Sequence, residues 1–387
     1  MTITSFASAG FVIPDSIRLQ SDGKFLVLVQ SGNVGYEVLR YTASGVLDTT
    51  FGSKGIAVLS PSFATCCVGA SLDLQPNGQI VIAGLVNSSS GLALGVERLN
   101  TNGTPDTSFG SKGLATASLG GRLTGVGVVV LVQPNGFILA GAQLEPTGRR
   151  QPFQTMLARF TFDGALDTTF GTQGTAVATG SGGCTALAQL SNGNYLVVAA
   201  QAVAEFTAGG SVVSTITPAT LSASNGSIEP STPSVFQPNG DYLFGTELFV
   251  GEESRGHNSS AEVLRFTETG AADASFANPT FHYIGTGGSG IEAMVRGLTV
   301  QSNGDIVVTG NQTTFTQSGT TIVNGLARLT PNGNLDPAFG TGGTVVNSIP
   351  SGTDGLGGAV IQANGNIVTV GTANNLTELT LARYLGS

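Results

Sequence analysis

The chain contains only two histidines, His257 and His282, and Tyr283 follows the second. An imidazole and a phenol can serve as base and acid in breaking down a polysaccharide, and Arg255 could neutralise an acidic sugar. This set is the low-ranking catalytic candidate: His257 falls in a loop while His282 falls in a strand of the same repeat, and nothing in the spacing brings them together. The only concentrated charges are Glu252, Glu253, Arg255 and His257 on one segment and Arg149 and Arg150 on another, which makes these six the candidate binding residues. Cys66, Cys67 and Cys184 have neither metal-ligand spacing nor a basic neighbour that would activate a thiolate. No G-x-S-x-G elbow and no calcium-loop pattern occurs, so the sequence leans away from an enzyme and implies no metal and no cofactor.

Composition narrows the partners further. Lys and Arg total 15 against 24 Asp and Glu, for a net charge of -9, and the lysines are Lys24, Lys54 and Lys112 alone. A groove that tracks phosphates needs clustered cations, so nucleic acid is not an expected partner. The longest apolar run, GVGVVVLV around Val126 to Val132, is far short of the roughly 20 residues that span a bilayer, so no membrane insertion is expected. MTITSFASAG has no basic region followed by an apolar one, as a secretory signal would, which fits a mature or trimmed chain. Sparse charge with abundant Ser, Thr and Gly resembles extracellular β-proteins, and an extracellular or cell-surface location is the expectation.

Any such residues must be positioned by repeats. Two strand-like runs about a tight turn recur as LQSDGKFLVLV, LQPNGQIVIAG, VQPNGFILAG, QLSNGNYLVVA, FQPNGDYLFG, VQSNGDIVVTG and IQANGNIVTVG. Their turn glycines, Gly23, Gly78, Gly136, Gly193, Gly240, Gly304 and Gly365, are spaced about 57 residues apart. Asn-Gly or Asp-Gly between such runs signals a hairpin whose two central residues both tolerate positive φ. Downstream comes a third strand, a polar turn, a compact loop with Asp and Phe, and a fourth strand, as in VLRYTASGVLDTTFGSKGIAV. Seven antiparallel four-stranded units predict an all-β, seven-bladed propeller.

The last repeat stops at LARYLGS without its final segment, and TSFASAGFVI near the N-terminus aligns with that segment as it stands at Thr107. The first strand is therefore expected to complete the last blade and close the ring. A single propeller over 1–387 follows, with repeats near 14–60, 61–118, 119–178, 179–222, 223–284, 285–348, and 349–387 plus 1–13. Strand parity puts the A–B and C–D turns on one face and the variable B–C and D–A loops on the other, so the variable face is the candidate binding surface.

Arg40, Arg98, Arg159, Arg265 and Arg328 each precede an aspartate by eight residues: Asp48, Asp106, Asp167, Asp273 and Asp336. Repeat four has Glu205 and Phe206 where its Arg should be and lacks the Asp too, while repeat seven has Arg383 with Ile3 in the Asp slot. Joint presence and joint loss read as a structural pair bridging the third strand and the loop after it. Phe51, Phe109 and Phe170, three residues past the Asp, read as core between blades. Turn acids such as Asp22, Asp163 and Asp241 are expected to bond their own backbone.

The pattern Q-x-D/N-G, then R, then L-D-x-x-F-G, complete at Leu47 to Gly52, Leu166 to Gly171 and Leu335 to Gly340, resembles the bacterial delta-60 repeat family. Repeat two has Pro105 in place of the Leu, and repeat five reads AADASFA. The resemblance implies a propeller-like repeat array in secreted or surface proteins and no established activity. The expected function is that of a non-catalytic binding or scaffold propeller meeting a protein or glycan through the variable face. A polysaccharide lyase or glycosidase on that face, and a purely structural repeat of a larger surface assembly, are the alternatives.

Overall fold

The computed structural model describes residues 2–5, 11–32, 34–64, 69–89, 91–118, 122–145, 152–180, 182–199, 202–216, 233–249, 259–284, 290–317, 319–347, 356–373 and 376–386. All regular elements among them are β-strands. After β1 (Thr2–Ser5), the first sheet comprises β2 (Val12–Leu19), β3 (Phe25–Ser31), β4 (Gly35–Tyr41) and β5 (Ile56–Val58). The second holds β6 (Ser71–Leu74), β7 (Ile80–Ser88), β8 (Gly91–Leu99) and β9 (Leu114–Ala117). The third holds β10 (Arg122–Val132), β11 (Ile138–Glu145), β12 (Gln154–Phe160) and β13 (Thr175–Thr179), and the fourth β14 (Cys184–Gln189), β15 (Tyr195–Ala199), β16 (Val203–Phe206) and β17 (Val212–Ile216). The fifth has β18 (Ser234–Phe236), β19 (Tyr242–Phe249), β20 (Ser259–Phe266) and β21 (Thr280–Phe281), and the sixth β22 (Ile291–Val300), β23 (Ile306–Thr316), β24 (Gly319–Leu329) and β25 (Thr344–Asn347). The seventh combines β26 (Leu356–Ile361), β27 (Ile367–Ala373) and β28 (Glu378–Tyr384) with β1.

Each sheet is an antiparallel meander, and seven of them make the chain a seven-bladed β-propeller. The first strand completes the last blade: Thr2 pairs with Leu381, Ile3 with Thr380, Thr4 with Leu379 and Ser5 with Glu378. By compactness the residues fall into two units, Asp15–Thr217 with the first four blades, and Met1–Pro14 with Pro218–Ser387.

Within each unit the core lies between successive blades. Leu26, Leu28, Val38 and Phe51 of blade one pack with Ile80, Ile82 and Leu99 of blade two. Leu243, Val263 and Phe276 of blade five pack likewise with Ile306, Val308 and Leu329 of blade six. A second strand covered on both faces favours a continuous apolar run, which is why β3 opens FLVLV, and the Gln30 and Ser31 that end it are buried as well.

The A–B turns differ from the two-residue hairpin expected from Asn-Gly. Only the glycine has positive φ, 83° at Gly23 and 82° at Gly78, while the residue before it keeps negative φ. The turns span more residues, with Gln20 N–H bonded to Lys24 O and Gly23 N–H to Gln20 O. The Asn or Asp is needed for its side-chain oxygen, which accepts the amide two residues on. Lys24 N–H reaches Asp22 Oδ1 at 3.1 Å, Gln79 N–H reaches Asn77 Oδ1 at 3.0 Å, and Asn135, Asn192, Asn239, Asn303 and Asn364 repeat the bond. Asp241 is thus the amide donor of such a bond, and its carboxylate accepts from Asn239 Nδ2.

Blade four shows what loss of the L-D-x-x-F-G loop does to the backbone. Its third and fourth strands join through a tight turn, Thr207 N–H to Ser211 O, and β17 follows at once. Glu205, in the arginine slot, accepts from Asn194 Nδ2 at 2.7 Å instead.

Candidate functional site

At the A–B and C–D end, every described arginine–aspartate pair makes the same junction. Arg40 Nε donates to Asp48 at 2.9 Å, and the equivalent bonds from Arg98, Arg159, Arg265 and Arg328 are 2.7 to 2.8 Å. Each guanidinium lies over the ring of the motif phenylalanine, with its carbon 4.6 Å from the centroid of Phe51 and of Phe109. Its remaining nitrogen, Nη1, reaches forward to a backbone carbonyl of the next blade: Arg40 to Thr101, Arg98 to Phe162, Arg159 to Ala208, Arg265 to Pro331 and Arg328 to Gly386, at 2.6 to 2.7 Å.

The next blade's C–D turn is seated there. The Gly52 amide donates to Asn102 O, and Gly103, at φ 86°, lies so close over Phe51 that an added Cβ would come within 2.8 Å of the ring. Arg, Asp and Phe together form a socket, and the turn glycine of the following repeat fits it because a side chain there would strike the aromatic face.

The socket aspartates are held below the usual carboxylate range. For Asp48 the largest cause is the Thr50 hydroxyl; burial opposes it, and Lys24 and Arg40 add to the lowering. For Asp106 burial is the largest influence and pushes upward, but the bonds from Ser108 and Arg98 outweigh it. A carboxyl lowered on folding contributes stability that is complete above its unfolded value of 3.8 and is lost as pH falls further. Burial raises the carboxyls of Glu97 and Glu247, so their protonation adds stability as pH falls from 7 to 5; thermal melting is therefore expected to rise over that range and to drop steeply below about pH 3.8, and a midpoint that falls already between pH 7 and pH 5 would contradict it.

At the B–C and D–A end, Arg149, Arg150, Glu252, Glu253, Arg255 and His257 lie outside the described residues, as do Cys66 and Cys67. Cys184 is buried, which pushes its thiol up to about 12 and leaves it inert at neutral pH. His282 is placed just beyond β21, with Nε2 3.5 Å from Ser260 Oγ. It lines a groove of ≈ 850 Å³ between the end of blade five and Thr341 to Val346 of blade six.

Tyr283 lines the same groove, but its side chain is buried and its hydroxyl is already bonded. It is 1% exposed, its hydroxyl donates to Met294 O at 3.2 Å, and burial holds its proton well above the ordinary tyrosine range. The ring lies flat on the paired glycines Gly310 and Gly325 of blade six. Phe63 makes a comparable contact between blades one and two, its ring lying against Gly84, which pairs with Gly95.

Other polar groups converge here that the sequence did not single out. Glu247 on β19 accepts from the Ser259 hydroxyl. Burial raises its carboxyl, Glu292 adds to the rise, and Ser259 and Arg296 oppose it. Arg296 Nε donates to Asn311 at 3.1 Å. In blade two, Glu97 accepts the Ser60 amide at 2.9 Å, and burial raises its carboxyl to about 7. These acids come from strands far apart in sequence, so only the alternation of buried positions could have hinted at them. No group of three or more metal-ligating side chains occurs among the described residues, and no helix there is long and apolar enough to cross a membrane.

Seven four-stranded antiparallel blades define the class as a seven-bladed β-propeller. The family described as a domain of unknown function (DUF5122) beta-propeller matches residues 20–51, 75–109 and 301–339, the stretches that carry the turn, the arginine and the Asp–Phe loop. No curated protein matches the chain in sequence. Among solved structures, the Pan2 WD40 domain of Neurospora crassa is similar over 98% of this chain and 93% of its own, at 9% identity and a TM-score of 0.47. The polysaccharide lyase Uly1 is similar over 99% of this chain and 91% of its own, at 9% identity and a TM-score of 0.46. An extracellular domain from B. thetaiotaomicron is similar over 99% of this chain at 10% identity and a TM-score of 0.44, and the match spans 40% of that protein's chain. At such identities these likenesses assign no ligand or reaction to this chain.

Proposed function

We propose that the protein is a non-catalytic binding or scaffold propeller of the delta-60 type, working outside the cell and meeting a glycan or protein partner through its B–C and D–A loops. The observation that carries this reading is the placement of Tyr283. Its hydroxyl is spent on Met294 O, and its ring does packing work comparable to that of Phe63, a residue with no hydroxyl. A general acid must present its proton to substrate, so this tyrosine is a poor partner for His282 in an elimination. On the opposite face, C–D turns such as that of Asn102 and Gly103 are seated in sockets between blades. The loop face is left to vary, and it carries the concentrated charges of the sequence.

Screening on a glycan array together with pull-down from bacterial envelope extracts is expected to yield a ligand whose binding weakens when Arg149, Arg150 and Arg255 are changed to Ala. Retention of full binding by that triple variant would move the contact away from this face, and no ligand in either assay would favour a structural spacer. Absorbance of an unsaturated uronate product, lost in His282→Ala, would overturn the non-catalytic reading.

A further inference from the structure

The glutamine that opens the A–B turn recurs as Gln20, Gln75, Gln133, Gln237 and Gln301, and in each a buried side-chain atom has no protein partner within hydrogen-bond distance. In Gln20, Gln133, Gln237 and Gln301 that atom is Oε1; in Gln75 it is Nε2. Gln75, Gln133 and Gln301 are 3%, 3% and 8% exposed. In Gln75, Gln133 and Gln301 the rest of the amide is aimed at a socket or at the following blade. Gln75 Oε1 accepts from Arg98 Nη1 at 3.3 Å, Gln133 Nε2 donates to Tyr195 Oη at 2.7 Å, and Gln301 Nε2 donates to Gly365 O at 3.4 Å. Arg159 Nη1 also reaches Tyr195 Oη, at 3.4 Å, so glutamine and clamp arginine meet on one hydroxyl.

A buried amide atom left unpaired has given up its bond to solvent with nothing in return, and native proteins leave very few so. The same cost met at five equivalent places is the mark of a shared ligand. We propose that each of these glutamines binds one internal water molecule, which forms part of the blade-to-blade junction beside the clamp arginine. The polarity of the orphaned atoms selects the ligand. An amide oxygen needs a donor and an amide nitrogen needs an acceptor, so a metal ion would serve four sites and fail at Gln75, and an anion would do the reverse. Water serves both, and the guanidinium beside Gln75 and the one that shares Tyr195 Oη with Gln133 disfavour a cation at those two.

A crystal structure at about 1.5 Å resolution decides the matter. Expected is an ordered water about 2.7–3.2 Å from the unpaired amide atom of Gln75, Gln133 and Gln301, hydrogen-bonded to at least one further group. Sites that are dry, that hold an ion, or that are closed by a protein group instead would overturn the proposal. Oxygen-17 relaxation dispersion, which counts long-lived internal waters, gives a second readout in solution. Gln301→Leu is expected to lower the count by one relative to the parent chain, and an unchanged count in a folded variant would contradict it. If that variant does not fold, the crystallographic result on the parent chain stands alone as the test.

Discussion

Arg98→Ala is expected to cost about 3–5 kcal/mol of stability, the most of any single change in the sockets. The Arg98 side chain is 4% exposed, bonds Asp106 through Nε and Nη2 at 2.8 Å each, and donates to Phe162 O at 2.6 Å. Its guanidinium also lies between two rings, 4.6 Å from the centroid of Phe109 and 4.8 Å from that of Phe162. Truncation leaves the Asp106 carboxylate buried without its counter-charge and the next blade's turn without its anchor. Arg98→Lys should recover only part of the loss, because an ammonium cannot fork between carboxylate and carbonyl or stack between rings. Urea denaturation followed by far-ultraviolet circular dichroism provides the measurement, with the exposed Arg383→Ala as a control expected within about 0.5 kcal/mol of the parent. A loss at Arg98 below about 1 kcal/mol would show that the socket does not hold the blades.

Removal of residues 1–13 should be comparably damaging. It deletes β1 and its four pairings with β28, the bond from Val12 N–H to Leu376 O at 2.6 Å, and the fully buried Val12 side chain. At about 1 kcal/mol for each of about five net backbone bonds and about 2 kcal/mol for the valine, roughly 7 kcal/mol is at stake. The deletion also uncovers one edge of β28, and an unpaired edge invites a second chain. A lower melting midpoint is expected, together with self-association that rises with concentration in sedimentation. Unchanged melting in a monomeric deletion variant would falsify the role given to the first strand.

The blade pattern could be read from the sequence because it is written seven times, and because the missing end of the last repeat reappears at the head of the chain. That the head of the chain completes the last blade follows from that phasing, but the alignment misplaces the strand: it puts Ile3 in the aspartate slot of the loop, whereas Ile3 itself lies in the closing strand, paired with Thr380, and Val12 already belongs to the first blade. What escaped was contact made across repeats. The third bond of each arginine ends on a carbonyl, such as Thr101 O or Pro331 O, and a carbonyl carries no side-chain signature. The turn type was misjudged because Asn-Gly suits two geometries, and the choice between them rests on the Asx oxygen that caps the next amide but one. Tyr283 looked like a candidate acid because it neighbours a histidine; the telling signal was the glycine pair Gly310 and Gly325, about 30 and 40 residues downstream, which leaves room for its ring. The convergence of Glu247, Ser259 and Arg296 depends on how two blades face each other, and no local pattern encodes it.

The sockets also have a direction. Each is built from a blade's own third strand and loop, and what it grips belongs to the blade that follows, as Arg40 grips Thr101 and Arg265 grips Pro331. On a ribosome, a socket is therefore complete before its occupant has been synthesised. Within each unit a nascent chain can dock a new hairpin onto a finished predecessor wherever that predecessor carries a socket, with nothing already placed having to be undone. Assembly then advances from head to tail, and the strand made first is the one that must wait longest for its neighbour.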